Sequence, residues 1–188
     1  MAPFIIIVHL TLTSHMYGYI FRGQSFFLKK NIHYAHTIVA KPKSYYFLDS
    51  GEYRRLEIFD GILVARVCPA AHWKPGLPKY EWEKRDIEYL GDSGKPGIWK
   101  GLDKIPDSWI VNISSIEFTL TAGSYGQVGV FPEQELNWKW IRNVINVHYH
   151  DYGKGSPSFK VLNAFAYTGG STIAAAYSDG VTEVNLSS

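Results

Sequence analysis

The stretch Lys160 to Ser188, KVLNAFAYTGGSTIAAAYSDGVTEVNLSS, constrains this chain more than any other. The apolar Val161, Leu162, Ala164 and Phe165 form a nearly continuous run, the pattern of a parallel strand buried on both faces. Thr168, Gly169 and Gly170 end it in a tight turn, where glycine lets a ligand approach the backbone without a Cβ in the way. Ser171 or Thr172 is placed to cap the helix that follows, and Ile173, Ala174, Ala175 and Ala176 are small enough to lie close on a sheet. Gly180 stops that helix, and Val181 to Val184 reads as the next strand. The predicted unit is a strand, a helix and a parallel strand joined by a right-handed crossover. Its ligand would lie beyond the carboxyl end of the first strand, against the positive end of the helix, at the turn Thr168 to Gly170. That turn reads Gly169-Gly170-Ser171-Thr172-Ile173-Ala174 and lacks G-x-G-x-x-G, so a nicotinamide-linked oxidoreductase is disfavoured.

With 188 residues and 46% hydrophobic side chains the chain can build a real core, as one domain or two small ones. Thirteen Tyr and six Trp argue against a disordered chain. The one cysteine, Cys68, excludes an internal disulfide framework, fits a reducing compartment, and reads as a small buried hydrophobe. The net charge of +2 hides an asymmetry. Before Asp49 there are five basic residues and no acid, so the remaining fourteen Lys and Arg face all seventeen acids and that part carries −3. Such a body is not a nucleic-acid binder by charge alone.

Phe4 to Leu12, FIIIVHLTL, is apolar but too short to span a membrane. With the acid-free, basic stretch to Lys43 it resembles an organelle transit peptide, for mitochondrion or plastid. The alternatives are an upstream extension of unclear reading frame and an ordinary buried strand. From Ser44 the pattern turns to strands: Tyr45 to Leu48, a turn at Asp49 to Glu52, Arg54 to Phe59, an Asp60-Gly61 hairpin, and Ile62 to Val67. Trp73 to Pro78 is an irregular loop, and Glu83 to Arg85 a solvated charge run. Strands around Ile98-Trp99 and Trp109 to Val111 lead to Ser115 to Thr121, whose Ile116, Phe118 and Leu120 share one buried face. A strand then enters a helix at Pro132, with Leu136, Trp140, Ile141, Val144 and Ile145 as its core-facing stripe. His148-Tyr149-His150-Asp151 would put two histidines on one face of a strand, but no second cluster offers a third metal ligand, and a surface linker into Gly153 to Pro157 is the better account. Asn112-Ile113-Ser114 and Asn185-Leu186-Ser187 match the glycosylation pattern by chance. There is no internal repeat.

LDSG at Leu48 to Gly51, RRLEIF at Arg54 to Phe59, VGVFPEQ at Val128 to Gln134, Trp138-x-Trp140-Ile141, and VLNAFAYTGGSTIAAA at Val161 to Ala176 occur in the order and spacing of one group. They resemble class I S-adenosylmethionine (SAM)-dependent methyltransferases related to bacterial large-subunit rRNA cytosine-5 methyltransferases, over the stretch from Ser44 to the end. The resemblance implies an α/β fold: a small antiparallel β-rich domain, 44–121, followed by the first part of a Rossmann-like methyltransferase domain, 122–188, with 1–43 as a targeting or extension segment. It implies SAM as cofactor, with Phe131, Glu133, Gln134, Asn163, Tyr167, Thr168, Gly169, Gly170 and Asn185 around it, RNA as substrate, and neither metal nor membrane as partner. Two departures stand out. Family members end the second strand with Val-Asp, whose carboxylate binds the ribose hydroxyls; here Asn185 follows Val184 and gives up the charge-assisted part of that bond. Gln127 stands where a histidine is common. The later strands, the Asp-Pro-Pro motif and a catalytic cysteine would lie beyond Ser188, so no catalytic residue is assigned and this stretch alone is expected to be inactive. A second reading is a non-enzymatic SAM-binding or interaction module.

Overall fold

A computed structural model describes residues 5–8, 44–152 and 159–186. They gather into two units, one of residues 44–111 and 119–128, the other of residues 5–8, 112–118, 129–152 and 159–186. The expected linker at Gly153 to Pro157 lies outside the described residues, as does the expected targeting segment 1–43 apart from strand β1, Ile5–Val8.

The first unit is built on a five-stranded sheet in the order β2 (Tyr45–Gly51), β3 (Arg54–Phe59), β4 (Ile62–Val67), β5 (Ile87–Tyr89), β6 (Trp99–Lys100). Its neighbours pair antiparallel except β4 and β5, which run parallel and are connected through a short helix, α1 (Lys79–Trp82). A parallel pair needs such a crossover because a tight turn cannot bring the chain back to its start. Asp60 and Gly61 turn β3 into β4 with φ of 50° and 84°, left-handed at both positions as a type I′ hairpin requires. The turn expected at Asp49 to Glu52 falls later, at Glu52 and Tyr53, with φ of 50° and 62°. Asp49 stays in β2, where its carboxylate accepts the N–H of Gly76 at 3.1 Å, of Leu77 at 2.8 Å and of the Trp82 indole at 3.0 Å. Those bonds pin the Trp73 to Pro78 loop, which has no ladder of its own to satisfy its backbone.

Leu56, Leu63 and Ala65 form the heart of this unit, with Ile58, Leu77 and Trp82 packed against them. Glu57 is wholly buried on the same sheet. Its carboxylate lies 2.6 Å from Arg66 Nε and 3.3 Å from Arg55 Nε, and accepts the Tyr45 hydroxyl at 3.0 Å. Burial pushes this carboxyl up, but the two guanidiniums outweigh burial and hold it below the ordinary carboxylate value. The same burial, with Glu57 alongside, pushes the Tyr45 hydroxyl far up. Cys68 is half-buried, and burial raises its thiol, which suits packing and not nucleophilic attack.

Strands β7 (Trp109–Ile113) and β8 (Ile116–Leu120) pair as a hairpin with strict alternation of buried and exposed residues. Trp109, Val111, Ile113, Ile116, Phe118 and Leu120 are the buried set.

In the second unit a 3-10 turn at Pro132–Gln134 leads into helix α2 (Glu135–Tyr152), then β9 (Phe159–Asn163), α3 (Gly170–Ala176) and β10 (Val181–Leu186). The sheet order is β1-β9-β10 and both pairings are parallel. Phe159 and Val161 on one face of β9 meet Ile141 and Ile145 of α2 and Ala175 of α3, with Tyr149, Val181 and Val184 packed around them. Burying each such isoleucine contributes about 1.5–3 kcal/mol. Three sequence expectations shift. β9 begins at Phe159 and ends at Asn163, so Phe165 lies past the strand and is exposed. The α2 stripe is Trp138, Ile141 and Ile145; Leu136 and Trp140 face outward. His148 and His150 sit in the last turns of α2, where a separation of two residues rotates them about 200° apart. His148 packs on Phe159 while the exposed His150 lies 3.5 Å from Asp179, and no group of metal-ligating residues occurs among the described residues.

Candidate functional site

The carboxyl end of β9 opens into the turn that the sequence singled out. Asn163, the last residue of the strand, is buried. Its amide nitrogen donates to Thr172 Oγ1 at 2.9 Å and its amide oxygen accepts the N–H of Phe165 at 3.4 Å. One side chain thus ties the start of the turn to the first turn of α3. Thr172 is occupied by this bond, and Ser171 Oγ accepts the Trp138 indole N–H at 3.1 Å. Neither caps the helix as expected; Gly169 holds the N-cap position without a side-chain bond.

Tyr167 has φ of 49°, a left-handed conformation that a residue with a Cβ adopts at a cost of about 1–2 kcal/mol. Its ring lies 4.5 Å from that of Phe131, centroid to centroid. The two sequence segments expected to share a site, FPEQ and FAYTGG, therefore meet through their aromatic residues. Gly169 has φ of 92°, and a Cβ built there would have no atom within 4 Å, so the backbone at this point is open to an incoming group. At Gly170 the reverse holds: an added Cβ would stand 2.5 Å from Trp138 Cζ2. The first glycine leaves space and the second is needed for close packing of α3 on α2.

Trp138, which stands outside the stripe expected of this helix and appears only in the Trp138-x-Trp140-Ile141 motif, is buried here. It stacks on Phe118 at 5.3 Å with planes 25° apart, bonds Ser171, and backs Gly170. Nothing in its local sequence separates it from Trp140 two residues on. Of the other predicted site residues, Glu133 is half-buried with one carboxylate oxygen shielded from solvent. Gln134 accepts the amide N–H of Asn137 at 2.7 Å, and Thr168 is exposed on the turn. Asn185 pairs with Leu162 across the β9–β10 ladder, near the same end of the sheet. Its amide donates to Glu183 at 2.9 Å, a bond that helps hold the Glu183 carboxyl low after the larger effect of Lys160. The structure brings Phe131, Tyr167, Gly169, Gly170 and Asn163 around one turn; Asn185 sits on the adjacent strand with its side chain turned to Glu183.

No family model matches the chain, and no curated protein matches it. Solved structures do. A SAM-dependent methyltransferase from Agrobacterium tumefaciens superposes with a TM-score of 0.65 at 27% identity, over 79% of this chain and 45% of that one. A proposed SAM-dependent methyltransferase from Streptococcus mutans follows at 0.48 and 14% identity, over 95% of this chain and 46% of its own. A proposed methyltransferase complexed with SAH gives 0.46 and 14%, with 95% and 45% covered. The chain spans a little under half the length of the structures it matches. It is similar to SAM-dependent methyltransferases in fold, and no helix among its described residues is long and apolar enough to cross a membrane.

Proposed function

We propose that this chain binds SAM at the turn Tyr167 to Gly170 and serves a SAM-dependent methyltransferase acting on RNA, of the group related to bacterial large-subunit rRNA cytosine-5 methyltransferases. Residues 44–121 would then be a β-rich domain ahead of a cofactor-binding domain, 122–188. The observation that carries the reading is the contact of Phe131 with Tyr167, which joins FPEQ to FAYTGG beside an open backbone at Gly169. The similarity to the Agrobacterium methyltransferase, above one quarter identity, supports it.

The residues present fit the cofactor. An open left-handed glycine accepts a group against its backbone, and two rings alongside offer an apolar wall. Tyr167, Thr168, Gly169 and Gly170 would hold the methionine end, with Phe131, Glu133 and Gln134 lining the same site. The Asn185 amide nitrogen is engaged by Glu183, so its oxygen would be the atom that accepts a ribose hydroxyl. When bound, the cofactor supplies a methyl group on a sulfonium, activated toward a nucleophile. The chain's own part is to bind and orient: Asn163 fixes the turn, the strain at Tyr167 is held by its surroundings, and α3 is seated by Trp138.

Calorimetric titration with SAM tests the cofactor, and methyl incorporation from labelled SAM into a large-subunit rRNA fragment tests the reaction. Heat together with incorporation is expected of the enzyme. Heat without incorporation marks the non-enzymatic module, and no heat from soluble folded protein overturns the assignment.

A further inference from the structure

Ser114 and Ser115 form the turn between β7 and β8, and both are left-handed, with φ of 54° and 64°. A two-residue hairpin turn asks for that backbone, but Asn-Gly or Asp-Gly suits it, and two serines adopt it against their preference. The turn is held from outside the hairpin. Arg142 of α2 places one terminal nitrogen, Nη2, 2.7 Å from the Ser114 carbonyl oxygen and 3.0 Å from the Ser114 hydroxyl, and donates to both. We propose that Arg142 is a positioning residue for the cofactor turn: by holding the β7–β8 turn it keeps Phe118 against Trp138, and Trp138 in turn keeps Gly170 and Ser171 in place for the ligand.

Arg142 and Trp138 stand one turn apart on α2 and so lie on the same face of it. That face grips the hairpin twice. Arg142 takes its turn, and Trp138 stacks on Phe118 in β8. Residues 112–118 accordingly gather with α2 and α3 in the second unit. From Trp138 the path to the cofactor turn is short. Its indole N–H bonds the Ser171 hydroxyl, and its ring lies so close to Gly170 that no Cβ fits between them. Trp138, Ser171 and Gly170 are all buried, and an interior packed that closely passes a displacement on and does not absorb it. This role rests on SAM binding at Tyr167 to Gly170, as proposed above, and names what supports that turn from behind.

Calorimetric titration with SAM tests it on the parent, on Arg142→Ala, on Phe118→Leu, and on Arg142→Ala combined with Ser114→Asn and Ser115→Gly. An Asn-Gly turn holds itself, so in the combined variant the arginine is no longer needed. Arg142→Ala and Phe118→Leu should each bind SAM roughly tenfold more weakly, and the combined variant should return to within about threefold of the parent. The near-ultraviolet circular dichroism band that Trp138→Phe removes should change in Arg142→Ala and return in the combined variant. A role confined to stability would lower the urea midpoint of Arg142→Ala and leave its dissociation constant and this band as in the parent, and that result overturns the proposal. So does a folded combined variant that still binds weakly. If Arg142→Ala does not fold, Phe118→Leu decides, and parental affinity there overturns the proposal. No heat from the folded parent overturns the cofactor reading and this role together, whereas heat from the parent with unchanged variants overturns this role alone.

Discussion

At the residue scale, three positions hold more than their size implies. Asn163 ties both sides of the turn from within the protein, and Asn163→Ala removes its bonds to the Phe165 N–H and the Thr172 hydroxyl. The expected cost is about 1–3 kcal/mol in urea unfolding, with weaker SAM binding by calorimetry as the turn loosens. Gly170→Ala must displace the Trp138 ring. A loss of about 1–3 kcal/mol is expected, accompanied by a changed near-ultraviolet circular dichroism signal from that indole. Glu57 offers a pH test. Its folded pKa is depressed, so its contribution is fully present above the unfolded carboxylate value of about 4.3 and is lost as pH falls through the folded value. Glu57→Gln removes the buried counter-charge held by Arg66 and should cost about 3–5 kcal/mol at neutral pH. The variant's urea midpoint should also fall less than the parent's between pH 5 and 3. A variant as stable as the parent at neutral pH would contradict the assigned role.

At the scale of elements, α2 shows what a sequence can and cannot report. Its helical period is plain from Leu136 to Ile145, yet several phases of that period present large apolar residues. Trp138 and Trp140 are two residues apart, so only one can face the sheet, and the choice is made by Phe118, Ser171 and Gly170, none of them local to the helix. Ile145→Ala should cost about 2–5 kcal/mol, and Trp140→Ala, on the exposed face, within about 0.5 kcal/mol of nothing. Equal effects of the two in chemical denaturation would reverse the assignment of faces. The Asp60-Gly61 hairpin was legible because its turn chemistry is local. The end of β9 was not, because Ala164 and Phe165 are as apolar as the strand before them, and it is the side chain of Asn163 that bends the chain away. The open turn at Gly169 was visible in the sequence; the strain at Tyr167 was not, since a tyrosine gives no sign of a left-handed backbone.

At the scale of the molecule, the two units use different means to the same end. The β-rich unit closes mostly through neighbours in sequence, hairpin upon hairpin, and fixes its loop with the Asp49 carboxylate. The other unit depends on a partner at the opposite end of the chain: β1 must wait for β9, which follows it by roughly 150 residues, a delay of about ten seconds or more on a translating ribosome. During that interval the β-branched segment Ile5 to Val8 has no strand to join. Contacts so distant in sequence are slow to form. Refolding followed by pulsed amide exchange should therefore protect β3 and β4 first and the β1–β9 ladder last. Anything that holds the segment Ile5 to Val8 aside during folding would therefore delay this ladder and leave β3 and β4 untouched.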